Sequence, residues 1–483
     1  MFKIEVNNVD SIIRGTLPDE VVNDLESKLS FPIEGAFFSK LYQKGLWDGR
    51  THLYRKKTQI FPTGLIHYVR DSFDKHQVPY QIENKRNMLS SGNSIPLYDV
   101  LPRDYQEDSV EKAIARQRGI VRIATGGGKT VVIAGIMARL NVPTLVLIHK
   151  LDIYWQLIER FEKYLRVPIG RIGAGEVDIQ PFTVGMIQSI AYCFNKKTKL
   201  EGNKPVSKPD IVKDYISKVS CLLVDECHHL SAPTLVEIHK KAKSAVWRVG
   251  FSATPFRDDG QDLLIEASTA GRFVDLSASY LIDRGFLAQP TFSLLKCPHK
   301  PQPAGIKYVS LYKKEIVEND MRNRLITQAV AMAASKGQTI LVAVSRIDHG
   351  RILEHMIKQV VPKTVFIYGG SDRDVRRDVL KNLDNRRLSC VIATTVFGEG
   401  IDIASLNCLV DAKAGESSVD ALQLAGRALR KTPTKNKAAI VSIFDIGCRW
   451  FEKHSWNRLK TYKTEPRYEI QWKDAVDDSM FPS

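Results

Sequence analysis

The chain has 483 residues, enough for two or three domains, and its 43% hydrophobic and 26% charged content is that of an ordinary globular protein. Its formal net charge of +16 points to a polyanionic partner, because neutralised phosphates release counterions on binding, although charge alone does not separate DNA from RNA. No apolar run is long enough to span a bilayer, Met1 to Val6 lacks the regions of a signal peptide, and seven scattered cysteines without CxxC pairing argue against a disulfide framework or a zinc ribbon, so no membrane and a cytoplasmic location are expected.

Residues 1–95 read as a small α+β domain and linker. Phe2 to Val6 and Thr51 to Tyr54 alternate, Gly45 to Arg50 is a turn, and the polar run from Asn84 to Pro96 is linker-like. Lys44, Arg50, Arg55, Lys56 and Lys57 make the turn region basic. Lys44, Arg50 and Lys56 are candidate nucleic-acid contacts, and Tyr42 or Trp47 would pack at a fork. For Trp47 itself the core anchor of a hairpin is the preferred reading.

From 96 to 284 a β/α rhythm predicts a doubly wound parallel sheet, with strands at 119–124, 143–149, 181–185, 219–225 and 246–252 and helices over 106–117 and 131–140. Asn195 to Pro209 reads as a loop. Thr125, Gly126, Gly127, Gly128, Lys129 and Thr130 lie between an apolar strand and a helix, which is the P-loop arrangement. Glycines let backbone N–H groups crowd a phosphate, the helix N-terminus faces its charge, and Lys129 reaches the terminal phosphates. Ile123 stands where the first Gly of the usual spacing would be. Thr130 and Asp225 are the candidate Mg²⁺ ligands. Asp225 and Glu226 end an apolar strand, at the ligand edge of such a sheet, where Glu226 would orient and deprotonate a water. Cys227-His228-His229 lacks a second ligand pair in sequence reach and is not read as a zinc site. Cys221, Cys390 and Cys408 lie in apolar runs as small core residues.

From 285 to 483 the rhythm repeats without a P-loop, with strands at 339–345, 364–368, 389–395, 407–411 and 438–444 and helices at 320–335, 348–360, 373–383 and 419–430. Arg427 and Arg430 are three apart, hence on one face of a helix, suited to a γ-phosphate. Arg449 to Lys473 is a basic, aromatic extension that reads either as packing or as an extra strand contact.

In their order, these motifs resemble a superfamily 2 helicase over nearly all of residues 100 to 430, and within it the phage UvsW-type branch-migrating helicases. The Phe251 to Gly260 run also resembles restriction-type and XPB-like relatives, and Tyr42 to Arg50 resembles part of the UvsW-type N-terminal domain. The resemblance implies two RecA-like lobes, ATP and Mg²⁺. It implies that Arg103, Tyr105 and Gln106 form the adenine-recognition motif, with Tyr105 stacking and Gln106 bonding the base edge; the alternative is a helix start capped by Asp104. It implies backbone contacts from His149 and Lys150, from Gln188 and Ser189, from Ser345 and Arg346, and from Thr394 and Thr395. Gly400 and Asp402 would face the nucleotide, and Gln423 would sense phosphate or water. Ser252 and Thr254 would link the nucleotide site to the strand-binding face.

The function expected is therefore an ATP-dependent DNA helicase or translocase acting on forked, branched or single-stranded DNA, monomeric, with no obligate protein partner. Three alternatives stay open: an RNA helicase, the motor subunit of a restriction-type complex, and a DNA-binding module with a vestigial ATPase.

Overall fold

The structure, a computed structural model, describes residues 1–86, 91–195, 208–229, 233–254, 262–300, 302, 305–394, 403–433 and 435–481. It divides into two compact units, Met1–Ile123 with Gly128–Asp275, and Ala124–Gly127 with Leu276–Ser483. The division at Asp275 falls earlier than the expected boundary at 284, and the N-terminal region shares a unit with the first lobe.

In the N-terminal region four short strands lie in the order Ile60–Pro62, Asp10–Arg14, Phe2–Val6, Tyr80–Asn84. Alternation along Phe2–Val6 sends Ile4 and Val6 inward, where they meet Ile13, Phe61 and the apolar stripes of helices Asp19–Lys28 and Ile66–Lys75. The region is docked on the first lobe. Asn8 Nδ2 donates to the Lys243 carbonyl at 3.0 Å, and a Cβ on Gly64 would lie 2.0 Å from the Glu266 carbonyl, so only glycine allows this approach. The segment read as a linker is pinned too: the Gly92 and Ile95 amides donate to the carbonyls of Leu140 and Ala138 at 2.8 and 3.0 Å.

Among the described residues the first large sheet has eight strands, in the order Glu176–Asp178, Gly170–Gly173, Phe182–Met186, Thr144–Ile148, Cys221–Asp225, Trp247–Ser252, Arg118–Ile123, Arg272–Leu276. The five expected strands are its parallel centre; the three that sequence missed lie at the two margins. Thr144–Ile148 is buried along its whole length, as a strand covered on both faces must be.

The second large sheet runs Thr364–Ile367, Cys390–Thr394, Ile340–Val344, Cys408–Asp411, Lys437–Ile446, Gln289–Pro298, Glu469–Lys473, all parallel. Its core gathers Val342, Val344, Ile392, Val410, Val441 and Ile443 with helix residues Ile326, Val330, Leu353 and Ile357. Each large sheet is the core of a RecA-like lobe. The basic C-terminal extension is therefore architecture: Glu469–Lys473 closes one margin of the sheet, and helix Arg449–Tyr462 packs on Lys437–Ile446. All seven cysteines are buried and free. No helix among the described residues is long and apolar enough to cross a membrane.

Candidate functional site

Parallel strands bring their C-terminal ends to one edge, and in the first lobe that edge collects the chemistry. The turn after Arg118–Ile123 passes through Gly126 and Gly128 at φ +86° and +85°, and Lys129 opens the helix Lys129–Leu140, with Thr130 behind it. Lys129 Nζ donates to Glu226 Oε1 and lies 3.8 Å from Asp225 Oδ1. Asp225 ends the strand Cys221–Asp225, and Glu226, just past it, is turned back by a left-handed φ of +50°, its amide donating to Asp225 Oδ1 at 3.0 Å.

Ser252, at the end of Trp247–Ser252, is the hub of this edge. Its hydroxyl donates to Glu226 Oε2 at 3.3 Å, accepts from the Thr254 amide at 3.1 Å and lies 3.0 Å from His228 Nδ1. One hydroxyl has one proton, so with Glu226 as its acceptor His228 Nδ1 must be the donor. Burial alone would lower the Lys129 pKa, but Glu226 and Asp225 outweigh it and hold the ammonium above its ordinary value. Asp225 is shifted upward, by burial first; Lys129 opposes this and Glu226 adds to it.

The adenine motif is built differently from the expectation. Helix Asp104–Arg116 starts after Arg103, whose amide donates to Gln106 Oε1 at 2.8 Å; Asp104 is the first helical residue, and not the cap. Tyr105 is only 3% exposed, with its hydroxyl accepting from Arg103 Nη1 at 2.9 Å, which leaves little ring surface for stacking on a base. Gln106 abuts the P-loop instead: a Cβ on Gly128 would lie 2.3 Å from its Nε2.

The expected strand contacts of the first lobe come together. Met186 pairs with Ile148, so His149, Lys150, Gln188 and Ser189 follow neighbouring strand ends, and Gln188 Nε2 donates to the His149 carbonyl at 3.0 Å. In the second lobe Val344 pairs with Thr394, which places Ser345 and Arg346 at the same edge as Thr394. Arg346 is exposed and its guanidinium lies 5.9 Å from the Tyr312 ring centre. Thr394 is 7% exposed. Thr395, Gly400 and Asp402 lie outside the described residues, as do Pro255 to Gly260 and most of the Asn195 to Pro209 insert.

Gln423 and Arg427 lie on helix Ser418–Ala428, Gln423 buried and Arg427 in the last turn. Arg430 does not share that helix. The chain leaves it after Leu429, and Arg430 forms an isolated antiparallel bridge with Leu287. Spacing of three residues puts side chains on one face only while the helix lasts.

In the N-terminal region Arg50 is committed to structure: its Nε and Nη2 bond Ser30 Oγ and the Ser30 carbonyl, both at 2.9 Å, across the ladder of Ser30–Pro32 and Arg50–His52. Lys56 lies 3.7 Å from Glu26, and Lys44 is exposed. Trp47 is half-buried and clips the turn, its indole N–H donating to the Arg50 carbonyl at 2.8 Å. Tyr42 is 43% exposed, and Phe37 and Phe38 protrude further, 59% and 78% exposed, with ring centres 4.2 Å apart. Sequence reading passed over the two phenylalanines, although an aromatic pair between Gly35 and Ser39, beside Lys40 and Lys44, is a visible signal.

Comparison with known proteins agrees with this architecture. Residues 99–257 match the family model described as type III restriction enzyme, res subunit, and residues 321–432 match the helicase conserved C-terminal domain. The chain is 22% identical to the ATP-dependent DNA helicase uvsW of Enterobacteria phage T4, over 94% of this chain and 96% of that protein. It is 24% identical to the DNA 3'-5' translocase XPB2 of Sulfurisphaera tokodaii, over 84% and 94% of the two chains. Its fold matches that of Saccharomyces cerevisiae Dbp5 bound to RNA and ADP BeF3 with a TM-score of 0.54 at 15% identity, over 77% of this chain and 90% of that one. With the P-loop and the paired carboxylates inside the first matched range and the Arg427 helix inside the second, the chain belongs to the superfamily 2 helicases, enzymes that couple ATP hydrolysis to the unwinding of nucleic acid.

Proposed function

We propose that the chain is an ATP-dependent DNA helicase or translocase that unwinds or branch-migrates forked or branched DNA. The observation that carries this reading is the bonded path Lys129–Glu226–Ser252–His228, which joins the phosphate-binding turn to the groups behind the catalytic edge. The choice of DNA rests on the similarity to the T4 DNA helicase, which runs through the N-terminal region as well as both lobes.

In this reading Lys129 exchanges Glu226 for the β- and γ-phosphates when ATP enters. That releases the Glu226 carboxylate to take the proton of the attacking water, while Ser252 keeps its second oxygen oriented. Asp225 and Thr130 offer the hard oxygen donors that Mg²⁺ favours, and a carboxylate pushed upward by burial, as Asp225 is, would gain from a nearby cation. Bound there, the metal would neutralise phosphate charge. Gln423, Arg427 and Arg430 are the second lobe's groups for the γ-phosphate, so hydrolysis would depend on lobe closure, and release of the products would reopen the grip on the strand. His149, Lys150, Gln188 and Ser189 are the backbone contacts of the first lobe, and Ser345 and Arg346 those of the second. Lys44, with Phe37 and Phe38, would meet the fork.

The test is ATP hydrolysis and strand separation measured on single strands, forks, four-way junctions and RNA duplexes at one salt concentration. Forked or four-way DNA should stimulate turnover most; stimulation by RNA alone would make this an RNA helicase. Lys129→Ala and Glu226→Gln should each cut turnover at least about a hundredfold, as loss of an electrostatic or proton-accepting group does, and leave DNA affinity within a few-fold.

A further inference from the structure

At the opposite, N-terminal edge of the first sheet lies a second cluster of charge. Arg118 and Arg248 occupy paired positions on adjacent parallel strands. Like charges directly opposite each other repel, and burial strengthens the repulsion. Arg248 is 1% exposed and donates to the backbone carbonyls of His239, Ala242 and Ala245, closing the end of helix Pro233–Lys241. Arg118 Nη2 donates to the Asn8 carbonyl at 2.6 Å, but its Nε and Nη1 are enclosed without a hydrogen-bond partner, as is Nε2 of His239, a residue only 3% exposed.

These residues line a cavity of about 130 Å³ where the N-terminal region meets the first lobe. Arg55 and Lys240 add two more cations to the lining, and Asp10 is its one carboxylate. Burial first, then Arg248 and Arg86, push the Arg118 guanidinium well down, with Asp10 pulling the other way. His239 is pushed down by burial and by both arginines, against a smaller pull from the Ser268 backbone, so the imidazole stays neutral. Enclosed donors without acceptors, and four cations against the single carboxylate of Asp10, are each costly, and an oxyanion with several acceptor oxygens relieves both. A cavity of this size holds several waters, hence one tetrahedral oxyanion.

We propose that Arg118, His239 and Arg248 form a phosphate-binding site at this edge of the first lobe, separate from the nucleotide turn. The phosphate is either free, as inorganic phosphate, or part of a nucleic-acid backbone. The site does not depend on which nucleic acid the motor acts upon.

The experiment uses the full chain carrying Lys129→Ala, which removes the response of the nucleotide turn. Thermal unfolding is followed in low-millimolar sodium phosphate and in sodium chloride at equal ionic strength. Phosphate should raise Tm. Arg118→Met should unfold no lower than its parent in chloride, since it relieves a like-charge pair, and should be blind to phosphate. Dialysis against labelled phosphate should show binding weakened at least about tenfold in Arg118→Met. Lys240→Ala, an exposed change that leaves the core intact, should weaken it several-fold. If the phosphate belongs to a strand, Arg118→Met also weakens oligonucleotide binding and inorganic phosphate competes with the oligonucleotide; if it is free, oligonucleotide affinity is unchanged. No phosphate-specific rise in Tm together with no competition, or an undiminished response in Arg118→Met, overturns the proposal.

Discussion

Ser252 shows how much one hydroxyl can couple. Its proton goes to Glu226, and its lone pairs take the Thr254 amide and His228. Removing it leaves Lys129, Asp225 and Glu226 in place but cuts the path from the Glu226 carboxylate into the segment that follows the strand. A hydrogen bond to a charged group contributes about 1.5–3 kcal/mol, a factor of roughly ten or more in a coupled equilibrium. Ser252→Ala should therefore keep DNA-stimulated ATP hydrolysis within a few-fold while strand separation per ATP falls about tenfold. Following phosphate release and duplex loss in the same reaction checks this, and equal losses in both would assign Ser252 to chemistry alone. At this scale the sequence was legible where chemistry is local: Gly128-Lys129-Thr130 and Asp225-Glu226 are read from adjacent letters. It was not legible where partners are distant, as with Gln106 against Gly128, or where burial decides, as with Tyr105.

Among elements, the strand Gln289–Pro298 and its end show what patterning misses. It lies inside the second sheet, between Lys437–Ile446 and Glu469–Lys473, yet Pro290 weakens its strand signal because proline has no N–H for the ladder. The strongly apolar strands of both lobes were legible because a strand buried on both faces must be apolar throughout. Most of the marginal strands and most of the short ones of the N-terminal region were not, since a half-exposed strand of three to five residues has little pattern to read. Just past Pro298, His299 joins three other elements. Its Nδ1 lies 2.9 Å from Glu315 and its Nε2 2.9 Å from Asp445, which also accepts from Arg322 Nε at 2.9 Å. Cys297, His299 and Asp445 are close enough together to suit a metal, but Arg322 already supplies the cation that Asp445 requires. Burial would lower the His299 pKa, but Asp445, Cys297 and Glu315 outweigh it and raise it to about 10. A raised histidine stabilises the fold fully below its unfolded pKa of about 6.5, and that contribution is lost as pH climbs through 10. Asp445 is lowered, so its contribution is lost at the acid end. His299→Leu should cost about 3 kcal/mol at pH 7, the penalty for breaking a buried pair, and should flatten the loss of stability between pH 7 and 10. Urea midpoints of both proteins across that range check the sign.

Over the whole molecule, a charge of +16 sets affinity for a polyanion, but only those cations left to face it release counterions. The N-terminal turn separates the two kinds. Arg50 is bound twice to Ser30 and holds a ladder together, and Lys56 has Glu26 beside it, so both are less free to face a polyanion than Lys44. Lys44 follows the short helix Lys40–Gln43, exposed, on the same protrusion as the tilted pair Phe37 and Phe38. Lys44→Glu should therefore weaken fork binding and reduce the slope of log K against log salt by about 1, the share of one phosphate contact. Arg50→Ala should do the reverse, leaving the slope unchanged while lowering stability by about 1–2 kcal/mol through the lost bonds to Ser30. Phe38→Ala adds no charge and should leave the slope alone, but should lower affinity for forks more than for blunt duplex, because a ring stacks only on a base that is already open. Binding titrations of the three variants on fork and duplex at several salt concentrations separate these effects. A changed slope in Arg50→Ala with none in Lys44→Glu would move the nucleic-acid face away from the protrusion and onto the ladder beneath it.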